Sequence, residues 1–475
     1  MTKKFYITTS IPYTNAPPHI GFAFEAIQAD VVARYHRALG EDVYFLTGTD
    51  EHGLKTKRAA EELGKTPEAF ADQMSQKFKD LQKVLNLSTD DFIRTSDIER
   101  HLPAVKKLWE QLQKNGDFYK KQYKGFYCPG CEAFKTDKDL VNGKCAIHQK
   151  EVEEIEEENY FFKLSKYLPA IKKIIEKGKL KIIPESKKNE ILGMLENGLE
   201  DISFSRSKEK YWGFFVPWDE SQIIYVWGDA LPNYISAIGY ADNEKKFKTY
   251  WPADVHCIGK DIVKFHAIYW PAMLLSLGLD LPKSIFVHGF ITVNGQKISK
   301  SLGNVIDPFV LVEKYGADAV RYYLLREITP TEDGDFSYEK FEQRYNADLA
   351  GGIGNLLART IALAIKPNFN AKKPSAKIKK IADIAKREVK KHLKDFKFNE
   401  ALKSIWDMIS FCDKYINEQK PWEGGKNASQ VVSDVLFALE VISGLLDPFL
   451  PETAGKIANA VESKKSGILF PTQKH

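Results

Sequence analysis

A strand, helix and strand pattern opens this chain, breaks off after Gly116 and resumes at Ile223, and no other feature of the sequence constrains its fold as strongly. Lys4–Thr9 is a β-favouring run, followed by the turn-rich segment PYTNAPPHIG. Phe24, Ile27, Val31, Tyr35 and Ala38 then recur at helical spacing until Gly40 stops them. Residues 43–47 form a second apolar run leading into GTDEHG, and Thr66-Pro67 reads as the cap and first position of another helix. This order predicts a parallel βαβ unit. After Gly116, cysteine pairs, an acidic run over 151–158 and Lys-rich stretches up to Lys210 read as a solvent-facing insertion. Residues 223–226, 255–258 and 285–287 are strand-like again, with a helical pattern after GKD, so one parallel sheet is predicted from two separated halves. From Asp307 onward nearly everything reads as helix, and no repeat or low-complexity tract stands out.

With 475 residues, the prior at about 150 residues per domain is three domains. The 43% hydrophobic and 28% charged content is that of an ordinary globular protein, which excludes disordered and collagen-like classes. A net charge of +5 permits a nucleic-acid partner without demanding one. The start MTKKFYITTS lacks the apolar core of a secretory signal. The most apolar stretch, 266–281, is broken by Pro271, Ser276 and Gly278 and falls short of the ~20 residues of a membrane span. Five cysteines, an odd and low count, argue against a disulfide framework. A cytoplasmic protein with no membrane partner is expected.

Three of those cysteines are clustered. Cys128 and Cys131 form C-x-x-C, and Cys145 and His148 form C-x-x-H a short loop later, the spacing of two knuckles around one tetrahedral Zn²⁺. Four protein ligands leave no open position, so the predicted zinc is structural and stabilises an insert with little core of its own. Cys257 and Cys412 are isolated and read as buried apolar residues.

Two further segments bear on phosphate chemistry. PPHIG lies between a strand and a helix N-terminus, where His19 and the backbone at Gly21 would face an anion, the glycine allowing close approach. Residues 295–304, GQKISKSLGN, read as a Gly-flanked flexible loop whose Lys297 and Lys300 could close over phosphates. Taken singly, the histidine is more often structural and the lysines a surface loop.

Together, His19-Ile20-Gly21-Phe22 and Lys297-Ile298-Ser299-Lys300-Ser301 resemble the paired signatures, HIGH and KMSKS, of the class I aminoacyl-tRNA synthetases. PYTNAPPHIG, GTDEHG, YVWGDALPNYI, GKDIVKFH, VHGFITVNG and NADLAGGIGNLLART look like the methionyl-tRNA synthetase family, and the Cys3His pattern fits its single-zinc form. The resemblance spans essentially the whole chain. It implies an α/β fold: a Rossmann-like parallel sheet split by a zinc-binding insertion, followed by an all-α anticodon-binding domain. The expected boundaries are 1–115 and 223–290 for the two Rossmann halves, 116–222 for the insertion, 291–345 for the signature-loop linker and 346–475 for the helical domain.

The implied reaction joins methionine to ATP, giving methionyl-adenylate and pyrophosphate, and then moves the acyl group to the 3′-terminal ribose of tRNA(Met). It needs no enzyme nucleophile, only positioning and charge stabilisation. By resemblance, His19, Gly21, Lys297 and Lys300 serve the phosphates with Mg²⁺ accompanying ATP, and Gly259 and Asp261 hold its ribose. Without the family, Asp261 is equally well a helix cap. Asp50 matches the acid for the α-ammonium, while Ile11, Tyr13, Trp227, Ala230, Tyr234, Ile262 and His266 match the side-chain pocket. A Tyr hydroxyl or imidazole N–H there could donate weakly to the thioether sulfur. Asn355, Arg359 and Trp422 match anticodon readers, beside a basic helix bearing Lys377, Lys379, Lys380, Arg387, Lys390, Lys391 and Lys394. No appended dimerisation domain follows, so a monomer is expected. Phe22 departs from the signature, since it stands where a hydrogen-bonding histidine is usual. Ile298 for Met is a milder departure. The rivals are a synthetase for another aliphatic amino acid, which would need a different pocket and usually a larger editing insertion, and a catalytically silent RNA-binding relative.

Overall fold

The computed structural model describes residues 2–128, 133–135, 140–146, 149, 151–298 and 303–473. Its main sheet has six strands: β1 (Lys4–Thr9), β2 (Asp42–Thr49), β3 (Asp91–Arg94), β4 (Lys181–Ile183), β5 (Val255–Gly259) and β6 (Ser284–His288), in the order β3-β2-β1-β5-β6-β4. The pairs β3–β2, β2–β1, β1–β5 and β6–β4 are parallel. Residues of β1, β2, β5 and β6 are buried in unbroken runs rather than alternately, as expected of a parallel sheet covered on both faces. The sheet order changes direction between β1 and β5, where Ile7 pairs with Val255 and Thr9 with Cys257. The carboxyl ends of these two strands therefore open onto a switch point, where ligands bind in open α/β sheets.

Two placements differ from the sequence expectation. Residues 223–224 close the strand Asp219–Ile224, which pairs antiparallel with Ser205–Ser207 and Phe215–Val216 outside the main sheet, and Val226 already begins a short helix. The sixth strand of the main sheet instead comes from within 116–222: Lys181–Ile183 is short and follows a Lys-rich helix, so its sequence hid an edge strand. The rest of that stretch is dominated by an antiparallel pair, Phe118–Cys128 with Glu153–Phe162, whose register sets Lys120 and Lys124 across from Tyr160 and Glu156. Its acidic run is thus a strand with alternating exposure rather than a loop.

By internal contacts the chain forms two units. The first, Met1–Pro18, Gly40–Gln82 and Ser88–Val287, holds the main sheet and a large aromatic core that includes Trp109, Phe162, Phe204 and Trp270. The second comprises His19–Leu39, Lys83–Leu87 and His288–His475. It contains α1 (Ile20–Ala38) and long helices including Ala376–Lys394, Phe398–Gln419, Ala428–Leu446 and Pro451–Ser463. Ala428–Leu446 is long and apolar enough to cross a membrane by length and composition, an apolar run stronger than 266–281, yet Asp434 is buried in it. Asp434 accepts hydrogen bonds from the backbone N–H and hydroxyl of Ser375 and from Tyr415, which marks this as a core helix of the bundle.

A fully buried ion pair organises the second unit. Asp30 on α1 accepts from Arg34 Nε at 2.8 Å and from Arg321 at 2.7 Å, and neither Asp30 nor Arg321 is exposed. Arg321 also donates to the carbonyls of Phe449, Pro448 and Leu85, so one guanidinium joins α1, helix Ala317–Glu327 and the turn before Pro451–Ser463. Arg321→Met would take from Asp30 its buried guanidinium partner, leaving Arg34, and would leave three carbonyls without their donor, lowering stability by about 3–5 kcal/mol. A urea melt should show the midpoint fall, and an unchanged midpoint would contradict this account.

Candidate active site

In the first unit the loop after β1 is fastened to the end of β2. Asp50 donates its N–H to Pro12 O at 2.9 Å, and its carbonyl accepts from Thr14 N–H at 3.0 Å. Tyr13 and Asp50 therefore form a parallel bridge, which brings the segment carrying Ile11 and Tyr13 beside the acid of GTDEHG. Lys55 Nζ lies 4.2 Å from the centre of the Tyr13 ring, a cation–π contact.

Behind this loop stand the aromatic residues. Trp227 and Ala230 belong to the helix Val226–Ala230, and Trp227 stacks on Phe265 with centroids 3.8 Å apart and 4° between planes. Its indole N–H is buried without a hydrogen-bond partner among the described residues. Tyr234 and His266 meet at 2.7 Å, His266 lying in the π-helical turn Phe265–Tyr269. The other ring nitrogen, Nδ1, is 3.0 Å from Ile262 O, so it carries the proton and Nε2 accepts from the Tyr234 hydroxyl. Of the groups considered as donors to a thioether sulfur, the Tyr234 hydroxyl and the His266 ring N–H are thus engaged within the protein. Gly259 closes β5, and its carbonyl accepts from Ile262 N–H, leaving Asp261 exposed in the intervening turn.

In the second unit, His19 is the N-cap of α1, and its Nδ1 accepts from Gly21 N–H at 3.0 Å. A Cβ on Gly21 would sit 2.8 Å from His19 Cε1, so the glycine makes room for the imidazole. Nδ1 is thereby the acceptor, and Nε2 is left as the N–H donor. Burial lowers the pKa of this imidazole. Phe22 is nearly buried and offers no polar group. Ile20 N–H donates to Ile306 O at 3.2 Å, which joins the start of α1 to the segment following the second signature.

That signature begins on a hairpin rather than in a free loop. Asn294 and Gly295 both have positive φ, the two-residue turn favoured between Ile291–Val293 and Gln296–Lys297. Asp335 clamps the turn through Gly295 N–H and the Thr292 hydroxyl, both at 2.7 Å. Lys297 is exposed, and its carbonyl accepts from Asn304 Nδ2 at 3.1 Å. Lys300 lies outside the described residues, as do Cys131 and His148. Of the predicted zinc ligands, Cys128 ends a long strand and Cys145 lies in the hairpin with Leu140, both completely buried. Cys257 and Cys412 are buried as expected.

Among the helices, Arg359 bonds Asp413 at 3.0 Å and Asn417 at 2.7 Å, with its guanidinium 5.6 Å from the centre of the Trp422 ring. Trp422 is 43% exposed in a short 3₁₀ turn after Pro421, and Asn355 is exposed one turn before Arg359.

Several buried polar contacts were missed in the sequence. Glu51 takes a bidentate pair from Arg94 at 2.7 and 2.9 Å. Glu25 on α1 meets His288 of VHGF at 2.7 Å. His52 and His101 flank Asp229 at 2.6 and 3.1 Å, and although burial opposes its charge, these two rings hold the Asp229 carboxyl below its usual pKa. Their only signal was charge inside otherwise apolar motifs.

Comparison with known proteins agrees with this geometry. The family described as tRNA synthetases class I (M) matches residues 5–154 and 135–361, and the anticodon-binding domain of tRNA ligase matches 378–474. The chain therefore belongs to the class I aminoacyl-tRNA synthetases. It is 45% identical over 489 residues to a methionine–tRNA ligase of Thermotoga maritima, covering 99% of this chain and 77% of that protein. A Brucella suis methionine–tRNA ligase is 42% identical over 96% of this chain and 91% of its own length. A Mycobacterium tuberculosis methionyl-tRNA synthetase in complex with methionyl-adenylate superposes with a TM-score of 0.92 at 38% identity, covering 100% of this chain and 99% of its own. Within the class, the chain is a member of the methionine–tRNA ligase family, ATP-dependent enzymes that charge tRNA with methionine.

One consequence concerns His19. Folded His19 binds its proton more weakly than in the unfolded chain, so its share of stability is complete above about pH 6.5 and is lost as pH falls through the lowered folded value. Ring-nitrogen NMR should show a neutral Nε2–H tautomer at pH 6.5. An imidazolium at that pH would contradict the cap geometry.

Proposed function

We propose that the placed residues divide the two steps as follows. Asp50 holds the α-ammonium of methionine, and Ile11, Tyr13, Trp227, Ala230, Tyr234, Ile262 and His266 surround its side chain. Gly259 and Asp261 hold the ribose of ATP. His19 donates its Nε2–H to the phosphates, Gly21 lets that ring cap α1, and Lys297 and Lys300 offset the charge that builds on the departing pyrophosphate. Mg²⁺ bound to ATP would supply further charge neutralisation. The methionine carboxylate oxygen attacks the α-phosphorus and pyrophosphate leaves; a terminal ribose hydroxyl of tRNA then attacks the carbonyl carbon and AMP leaves. Asn355, Arg359 and Trp422 read the anticodon, where an unstacked base can lie on the exposed indole beside the guanidinium.

The observation that most supports this reading is the bridge between Tyr13 and Asp50, which sets an aromatic wall beside a carboxylate at the carboxyl end of the sheet. The test is exchange of labelled pyrophosphate into ATP across all amino acids. Exchange with methionine alone is expected; exchange driven by another aliphatic amino acid, or none at all, would overturn it. Phe22→His belongs in the same assay. Losing one transition-state donor costs ~2.7–4 kcal/mol elsewhere, and we expect this enzyme to be active as it stands, with His changing its rate by less than about tenfold. An inactive parent rescued by histidine would mean that nothing compensates.

The insertion is proposed to hold zinc through Cys128, Cys131, Cys145 and His148. The donor set suits tetrahedral Zn²⁺, and Cys128 and Cys145 are both completely buried. Bound zinc would cross-link these segments and stabilise them. Metal analysis should find stoichiometric zinc that Cys145→Ser loses, with increased proteolysis within 116–162; a zinc-free protein of equal resistance would refute the site. The five-part division of the chain, a monomeric state and a cytoplasmic location complete the proposal.

A further inference from the structure

The side chains assigned to methionine do not include a buried carboxylate that two imidazoles hold beside them. Asp229 lies between Trp227 and Ala230 in sequence terms, on the same short helix, Val226–Ala230, and is almost completely buried. His52 Nδ1 meets Asp229 Oδ2 at 2.6 Å, while His101 Nε2 meets Oδ1 at 3.1 Å and the Asp229 carbonyl at 2.9 Å. His101 is held in turn by the Ser236 hydroxyl at 2.9 Å. The His52 ring is wedged edge-on between Trp212 and Phe214, with centroids 4.8 and 4.6 Å away. All of these residues belong to the unit containing the main sheet.

The chain positions of these three groups give the cluster its meaning. His52 follows Asp50 by two residues, so it is rigidly linked to the end of β2. Asp229 precedes Ala230 directly and follows Trp227 by two. The same helix is fixed at two more points: Trp109 Nε1 donates to Gly228 O at 3.1 Å, and Asn233 Nδ2 donates to Ala230 O at 2.7 Å. A Cβ on Gly228 would press within 3.0 Å of Phe204 and 3.1 Å of Trp109, so the helix has no slack on that side. Three segments far apart in sequence are thus tied through one carboxylate.

We infer that Asp229, with His52 and His101, is a positioning residue for the amino-acid pocket, fixing the distance between the Asp50 carboxylate and the wall formed by Trp227 and Ala230. The inference rests on the proposed pocket. None of the three touches substrate in this account; the cluster acts by holding two faces of one pocket in register. A hydrogen bond to a charged group contributes more than a neutral one, and removing one partner leaves the other buried and unsatisfied.

Steady-state pyrophosphate exchange with the full chain tests it, using Asp229→Asn, His52→Asn, His52→Leu and His101→Gln beside the parent. Asp229→Asn is expected to raise KM for methionine by about tenfold or more, with KM for ATP and kcat at saturating methionine within about threefold. His52→Asn keeps an N–H donor at the position of Nδ1 and should retain most of the affinity that His52→Leu loses. A purely structural role predicts instead a common loss of active enzyme, with both KM values unchanged, and that outcome overturns the inference. If Asp229→Asn does not fold, the His52 pair reads the same quantity, and equal methionine KM values for His52→Asn and His52→Leu overturn it. Asp50→Asn is the control for the pocket itself: if it leaves methionine KM unchanged, the pocket assignment has failed, whatever the Asp229 variants show.

Discussion

The pairing of β1 with β5 is the constraint on which the catalytic sheet depends. Ile7, Thr8 and Thr9 align with Val255, His256 and Cys257, joining segments separated by the whole insertion. Thr8 strengthens the seam by a 2.8 Å hydrogen bond to His256, and Tyr6 reaches across to Tyr234 O at 2.7 Å. Closing so long a loop carries an entropic cost that grows only slowly with its length, so an insertion of this size is tolerable once the seam is buried. Because the sheet order reverses there, the loops after the two strands emerge side by side. The Tyr13–Asp50 bridge extends the neighbouring β1–β2 pairing, and the Gly259–Ile262 turn follows directly from the end of β5.

Legibility in the sequence followed the physics of each segment. Lys4–Thr9 could be read outright because a buried parallel strand is a continuous apolar run bounded by turn residues. Lys181–Ile183 could not, because an edge strand of three residues carries too little pattern to separate it from the end of a helix. The stretch 223–226 misled for the opposite reason: its β-branched residues suit any strand, and propensity says nothing about which sheet is joined. GQKISKSLGN looked flexible from its glycines, yet Asn294-Gly295 is a hairpin turn, and the signal lay one residue outside the motif.

The site shows the same division. His19, Asp50 and Trp422 can be put forward from the sequence because each stands in a segment that resembles the family. The partner of each was not found. Nothing local says that Nδ1 of His19 is satisfied by Gly21, that Arg359 is shared by Asp413 and Asn417, or that Asp229 sits between two imidazoles. Such contacts are long-range except the first, and they join motifs that sequence analysis treats separately. Buried polar groups must nevertheless be paired, so a charged residue inside an apolar motif announces that a partner exists without saying where it is.

The pairing of Tyr234 with His266 changes how a methionine pocket can discriminate. With the Tyr hydroxyl committed to Nε2 and Nδ1–H committed to Ile262 O, neither group offers a hydrogen to sulfur. Recognition of the thioether then rests on dispersion and on contact with aromatic edges, which sulfur makes well and a water-seeking group does not. A polar analogue entering such a pocket gives up its hydration and gains no hydrogen bond from Tyr234 or His266 in return, at a cost of about 1–3 kcal/mol. An aliphatic analogue keeps the fit but loses the softer contact, a difference closer to the 1–3 kcal/mol typical of one methylene, roughly. In the proposed pocket the closed Tyr234–His266–Ile262 chain therefore contributes to selectivity, and the buried contacts that keep the walls in place matter to specificity together with the side chains that line it.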